Sequence, residues 1–147
     1  MQTSMKKTQI GWAVIIIVAV IELMIFIQPL DKTTQLIVSL GMVVMLVLFG
    51  SLTIIVNDTH LTFFFGIGLI RGKYDLKDIV YCRSVNYFSL GWGIRFKPGI
   101  TIFNVSGNKA IEIKRRSSYQ LIYLGTDSPE EIAAIVNEKI RERLANS

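Results

Sequence analysis

The chain has few of the residues that build disulfides, metal sites and charged surfaces: one cysteine, one histidine and 18% charged residues among 147. A single cysteine excludes a disulfide within the chain, and a single histidine without cysteine or acidic neighbours at ligand spacing argues against a zinc site. The charged fraction lies below the roughly 25% of soluble domains. The shortage falls in the first third, where residues 36–52 have no charge and residues 10–27 have only Glu22.

Two apolar runs, residues 10–27 and 36–52, therefore dominate the N-terminal part of the chain, with a short polar loop between them. Each run is near the lower limit of length for a helix that crosses a hydrocarbon core about 30 Å thick. The first run is too long for a signal peptide and is not followed by a cleavage site with small residues. We predict that residues 1–52 form a transmembrane hairpin with spans at about 10–27 and 36–52, so that the lipid bilayer is the first predicted partner.

The distribution of basic residues predicts the orientation of this hairpin. Lys6 and Lys7 precede the first run, whereas the loop carries only Asp31 and Lys32, and further basic residues follow the second run. The positive-inside rule then places both termini in the cytoplasm of a multi-pass protein of the cell (inner) membrane. Glu22 is expected near the outer headgroups or protonated against the second helix, because a proton relay would need a second ionisable group within the membrane.

From residue 53 onward the pattern changes to short segments rich in β-branched and aromatic residues, separated by turn signals. The spacing predicts about seven strands in a compact antiparallel sandwich or barrel over residues 53–147. The chain ends in a helix with strong start signals, Ser128, Pro129 and Glu131, which predict a capping box. Its apolar face should pack on the strands; this face consists of Ile132, Ile135, Val136, Ile140 and Leu144. The expected class is α+β, mostly β.

At this point the chain resembles a known family. The resemblance is carried by Leu90-Gly91-Trp92-Gly93-Ile94-Arg95, Gly99, Asn104, Ser106-Gly107, residues 110–113, Gly125-Thr126-Asp127 and Pro129-Glu130-Glu131. These residues resemble bacterial pleckstrin-homology-like (PH-like) membrane proteins, over roughly residues 53–140. The resemblance implies a barrel of two bent antiparallel sheets closed at one end by the C-terminal helix. We predict an interaction or scaffold module. Because some members of this family accompany self-protection against membrane-active bacteriocin-like peptides, the alternative is an immunity or envelope-stress protein.

Sequence signals for catalysis are weak. His60 lies in a predicted strand near phenylalanines, and Cys82 has no base close to it in the sequence, so both are expected to be structural. Residues 66–72 contain three glycines but lie between strands, which is the wrong context for a dinucleotide site. We therefore predict a protein that is not an enzyme, binds no cofactor or metal, and does not bind nucleic acid.

Two candidate contact surfaces remain. The first combines an aromatic loop with nearby cations, and consists of Tyr87, Phe88, Leu90, Trp92, Arg95 and Lys97. The loop either packs on the domain or contacts the bilayer, a membrane protein partner or a second copy of the chain. The second is a basic patch, Lys114, Arg115 and Arg116, which is either a solvated surface or a site for an anionic ligand. The turn at residues 56–59, where lipid-binding PH domains carry basic residues, has none, which argues against headgroup recognition there.

Overall fold

The computed structural model of the protein describes residues 4–88 and 91–146. Within them, three helices and nine strands form a mixed α+β fold, as predicted, against about seven strands expected. In chain order the elements are β1 (Met5–Ile10), α1 (Trp12–Ile27), α2 (Lys32–Phe49), β2 (Ser51–Val56), β3 (His60–Phe65), β4 (Ile70–Asp75), β5 (Ile79–Asn86), β6 (Gly93–Lys97), β7 (Ile100–Asn104), β8 (Lys109–Arg115), β9 (Leu121–Gly125) and α3 (Pro129–Ala145).

The strands form two separate sheets. The first has the order β1-β2-β3-β4 and is antiparallel, whereas the second has the order β5-β8-β9-β7-β6. In the second sheet β9 pairs antiparallel with β8 and parallel with β7. The prediction of a wholly antiparallel barrel is therefore wrong. Strand β9 lies between β7 and β8, which run in opposite directions, so it must be parallel to one of them. No pairing joins the two sheets within the described residues.

Strand β1 was not predicted from the sequence. It pairs antiparallel with β2, from Met5 opposite Val56 to Ile10 opposite Ser51, so the helical hairpin is an insertion between two neighbouring strands. The β-structure therefore begins at Met5, and the division predicted at residue 53 is corrected. The strand is not evident from the sequence, because most of its residues are polar and its last residue, Ile10, is also the first residue of the apolar run.

The two N-terminal helices differ from the predicted spans at their ends. α2 begins at Lys32, because the Asp31 carboxylate accepts hydrogen bonds from the Thr34 N–H and hydroxyl at 2.9 and 2.7 Å and caps the helix. It ends at Phe49, since the last apolar residues of the run belong to β2. α2 is long and apolar enough to cross a membrane, whereas α1, with 16 residues, is shorter.

The core lies between the sheets and is closed on one side by α3. Ile132 and Val136 of α3 are buried, and Ile135 and Ile140 pack partly against the core. Leu144, by contrast, is 62% exposed, so the predicted apolar face ends before it. The predicted capping box is absent: Ser128 makes no side-chain cap, and the carboxylate of Glu131 instead forms an ion pair with Lys7 of β1 at 2.7 Å.

Candidate membrane and partner interface

The hairpin joins the first sheet through two glycines. The N–H of Gly11, just before α1, donates to the carbonyl of Gly50, just after α2, at 2.8 Å. A β-carbon on Gly11 would lie only 3.0 Å from the carbonyl oxygen of Phe49, so the small residue permits this close approach. Sheet and helices are thus connected without a linker. We call the end of the β-structure at this junction the hairpin-side end, and the opposite end the far end.

The β3–β4 turn lies against the last part of α2. Gly66 has φ +45°, and a β-carbon there would lie 1.8 Å from the carbonyl oxygen of Val47. Its N–H donates to the carbonyl of Ser51 at 2.9 Å. The turn therefore lies level with the end of the helix, and it presents two apolar side chains outward, Ile67 and Leu69, which are 69% and 72% exposed. This turn is not among the predicted contact surfaces, although Ile67 between two turn glycines and Leu69 directly after them were a usable signal.

The predicted aromatic loop also starts and ends at the hairpin-side end, but its residues differ in how far they are buried. The Tyr87 ring packs edge-on against Tyr123, with 5.6 Å between ring centroids, so this residue belongs to the domain. Phe88 is 85% exposed, and Trp92 is half-buried. Gly93, where β6 begins, lies close to the Phe49 ring at the end of α2. Leu90 falls outside the described residues.

The two cations predicted to accompany this loop, Arg95 and Lys97, both lie on β6 but at different distances from the loop. Arg95 is half-buried on the outer face of the second sheet, opposite Ile102. Burial raises the pKa of Tyr87, and the positive charge of Arg95 opposes that rise, which places the two side chains near each other. Lys97 is exposed and lies about 13 Å from Gly93 along β6. The structure therefore brings Arg95 to Tyr87 but leaves Lys97 toward the far end.

The basic patch lies at the far end, and two of its three cations are engaged locally. The ammonium group of Lys114 donates to the carbonyls of Ser118 and Tyr119 at 3.3 and 3.0 Å. The guanidinium of Arg115 forms an ion pair with Asp78 at 2.8 Å and stacks over an aromatic ring. Arg116 alone of the three is exposed. The patch is thus mainly a set of structural contacts around the β8–β9 loop.

A polar cluster on the outer face of the second sheet was missed. The Glu112 carboxylate is almost completely buried and accepts hydrogen bonds from the hydroxyls of Tyr81 and Tyr123 at 2.9 and 2.8 Å. Arg83 adds an ion pair at 2.6 Å. Burial raises the pKa of Glu112, but these hydrogen bonds outweigh it and leave the pKa below its ordinary value. The alternation of residues along β8 predicted that Glu112 points away from the core. It could not predict the residues that contact Glu112, because they come from other strands.

The residues considered for catalysis have structural contacts. The His60 ring nitrogen Nδ1 lies 2.7 Å from the Thr59 hydroxyl. Cys82 is buried, and this burial raises its thiol pKa to about 12. No group of three or more potential metal ligands is found within residues 4–88 and 91–146.

The sequence matches no model of a known protein family and no curated protein. Functional interpretation therefore depends on the geometry of the chain itself. The hairpin-side end concentrates exposed apolar side chains at the junction with the helices, and the far end concentrates cations.

Proposed function

We propose that the protein is a membrane-anchored interaction module, with α1 and α2 inserted in the bilayer and the two sheets held at its cytoplasmic surface. The observation that carries this proposal is the outward apolar surface of both helices. Exposed large apolar residues follow them from end to end: Trp12, Ile16, Ile17, Val20, Leu23, Met24, Phe26, Ile27, Leu36, Ile37, Leu40, Val43, Val44, Met45 and Val47. A contiguous apolar surface of this size is unfavourable in water and favourable in lipid.

The hairpin-side end supports contact with the membrane surface. Because the β3–β4 turn lies level with the last turn of α2, Ile67 and Leu69 fall at the depth where that helix leaves the bilayer. Arg71 follows on β4 close to this end, whereas Lys73 and Lys6 share a row nearer the far end of the first sheet, through pairing with Thr62 and Ile55. Basic groups near an anionic surface contribute about 1 kcal/mol each. Two apolar side chains with a cation beside them, here Arg71, are typical of interfacial anchoring.

The resemblance to bacterial PH-like membrane proteins belongs to the same proposal. It is supported by two packed sheets followed by a single C-terminal helix that packs on β5, β8 and β2. The parallel β7–β9 pair and the additional strand β1 are departures from the pattern implied by that family. We therefore use the resemblance for the order of sheets and helix, and derive the contacts from this chain alone.

The proposed topology can be tested with single cysteines, because the native Cys82 is buried and this burial raises its thiol pKa, so we expect it to react slowly. A membrane-impermeant maleimide should label Lys32→Cys on intact cells or spheroplasts. It should label Lys97→Cys only after permeabilisation, since Lys97 lies on the exposed surface of the β-structure. The reverse pattern would overturn the orientation, and labelling of both sites in intact cells would overturn the membrane hairpin.

The interaction role can be tested by photo-crosslinking from Phe88. A photoreactive phenylalanine at this exposed position should give a discrete protein adduct in native membranes. Tyr119 is the control, because it is also a highly exposed aromatic residue and lies at the far end. Adducts with lipid alone at position 88 would leave the membrane anchor intact and contradict the role as an interaction module. An immunity protein that acts on the bilayer without a stoichiometric partner would give that result.

A further inference from the structure

The far end contains a cavity of about 450 Å³ between the β4–β5 turn, the β8–β9 loop and the last turns of α3. Its floor is apolar and is formed by the fully buried Leu76 and Ile79 together with Ile140. The volume is within the range of small-molecule sites, roughly 300–1,000 Å³. The cavity is large enough for an apolar group, and it lies away from the surface that we assign to the membrane.

Three cations from three separate segments surround this floor. They are Lys77 of the β4–β5 turn, Arg116 after β8, and Arg143 of α3. Arg143 lies 3.7 Å from the Asp75 carboxylate. Asp78, the other acidic residue of the turn, is engaged by Arg115. Within the described residues the side chains of Lys77 and Arg116 make no hydrogen bond or ion pair, so the rim retains positive charge.

From this juxtaposition we infer that the cavity is a binding site for a small apolar carboxylate, such as an aryl or short acyl acid. The apolar body would displace water from the floor formed by Leu76, Ile79 and Ile140, and the carboxylate would face Lys77 and Arg116. A neutral molecule of the same shape would forgo the charged contacts, and a bare anion would forgo apolar burial. The site does not depend on the proposed membrane role, because none of its residues lies at the hairpin-side end.

The probe pair 4-phenylbutyrate and 4-phenyl-1-butanol tests this inference in the full chain. The protein is placed in nanodiscs of zwitterionic lipid, and the ¹³C-methyl resonances of its isoleucines are followed by NMR. We expect saturable shifts at Ile79 and Ile140 with 4-phenylbutyrate, with a Kd of about 1 mM for a ligand of this size. The alcohol should bind at least about five-fold more weakly. Ile16, exposed on α1, reports partition of either compound into the lipid.

Charge variants identify the groups that bind the carboxylate. Lys77→Gln with Arg116→Gln should weaken binding of 4-phenylbutyrate about five-fold, whereas Lys97→Gln with Lys109→Gln makes the same change in net charge elsewhere and should have little effect. Three results would overturn the inference: no saturable shift, equal binding of acid and alcohol, or unchanged binding in the first double variant. Binding of a short leucine-terminated peptide without binding of 4-phenylbutyrate would also overturn it, in favour of a protein carboxyl terminus as the ligand.

Discussion

The N–H of Gly11 donates to the carbonyl of Gly50 at 2.8 Å, so the pairing of β1 with β2 continues to the residues where α1 begins and α2 has ended. A backbone hydrogen bond between the two helix–sheet junctions leaves no flexible segment there. A further contact joins β1 to the segment between β9 and α3, where the Gln9 side chain donates to the Asp127 carboxylate at 2.7 Å. These contacts join the helical hairpin directly to the β-structure, so the orientation of the hairpin relative to the first sheet is set at this junction.

Replacement of Gly66 tests this rigid junction. Gly66→Ala adds a β-carbon 1.8 Å from the Val47 carbonyl and also places a non-glycine residue at φ +45°. Gly68→Ala is the matched control, because φ is +90° there but the nearest atom lies 3.8 Å from the new β-carbon. We expect the control to lose about 1–2 kcal/mol of unfolding free energy from backbone strain alone, and Gly66→Ala to lose more. Thermal unfolding in detergent measures both, and equal losses would contradict the close contact with α2.

Asn137 is predicted to be the most sensitive polar residue of α3. Its side chain donates to the Cys82 carbonyl at 2.5 Å and accepts from the Cys82 N–H at 3.0 Å, next to the irregular pairing at the start of β5. Asn137→Ala leaves both backbone groups unpaired and should lower the unfolding free energy by about 2–3 kcal/mol. It should also increase the rate at which Cys82 reacts with a thiol reagent. The exposed Glu138→Ala should change either quantity little, and similar behaviour of both variants would refute this role.

The sequence predicted the parts of the fold that depend on local pattern. Segments with alternating or β-branched residues became β2 to β9, and the start signals at Ser128 and Pro129 correctly marked α3. Strand β1 escaped because its partner β2 lies beyond the whole hairpin, and a pairing across that separation leaves no local trace. The parallel β7–β9 pair escaped for a related reason: the order of strands in a sheet depends on packing of the whole domain.

The candidate site was predicted less well, because surfaces are assembled from distant segments. Phe88 is exposed, which is one of the two outcomes that the loop composition left open, but its supposed neighbour Lys97 lies toward the other end of β6. Residues that are close in sequence are still about 3.3 Å apart per position along a strand, so the residues of a short motif need not form one surface. The cavity of the far end joins Leu76, Arg116 and Ile140. No spacing rule relates such positions before the fold is known.

Asp78 should make the stability of the protein sensitive to acid. Hydrogen bonds from Ser117 and Arg115 lower its pKa from 3.8 to about 2. A carboxyl group with a depressed folded-state pKa stabilises the fold above its unfolded pKa, and this contribution is lost as the pH falls from about 4 toward 2. Asp78→Asn removes the ionisable group. The difference in melting temperature between the native chain and the variant should therefore be constant near neutral pH and should shrink between pH 4 and 2.

Other carboxyl groups also titrate in that range, so the difference between the two proteins is the informative quantity. Asp31→Asn is a suitable control, because Asp31 also has a lowered pKa but lies in the loop between α1 and α2, away from Asp78. In detergent-solubilised protein, the melting temperature of Asp31→Asn should depend on pH differently from that of Asp78→Asn. If the difference in melting temperature between the native chain and Asp78→Asn stayed constant down to pH 2, the Asp78–Arg115 contact would contribute nothing to folding.

The last prediction concerns the polar pair inside the hairpin. The Ser39 hydroxyl of α2 donates to Oε2 of Glu22 in α1 at 2.7 Å, while Oε1 of Glu22 is buried without a hydrogen-bond partner within the described residues. Ser39→Ala should destabilise the hairpin by about 0.6 kcal/mol, the average for such bonds in membranes. Glu22→Gln keeps an acceptor for Ser39 and removes an ionisable group from an apolar environment, so it should preserve or increase stability. Thermal unfolding in nanodiscs distinguishes the two directions. If Glu22→Gln were instead as destabilising as Ser39→Ala, the hairpin would require the carboxyl group itself, and Glu22 would have to be treated as a functional residue.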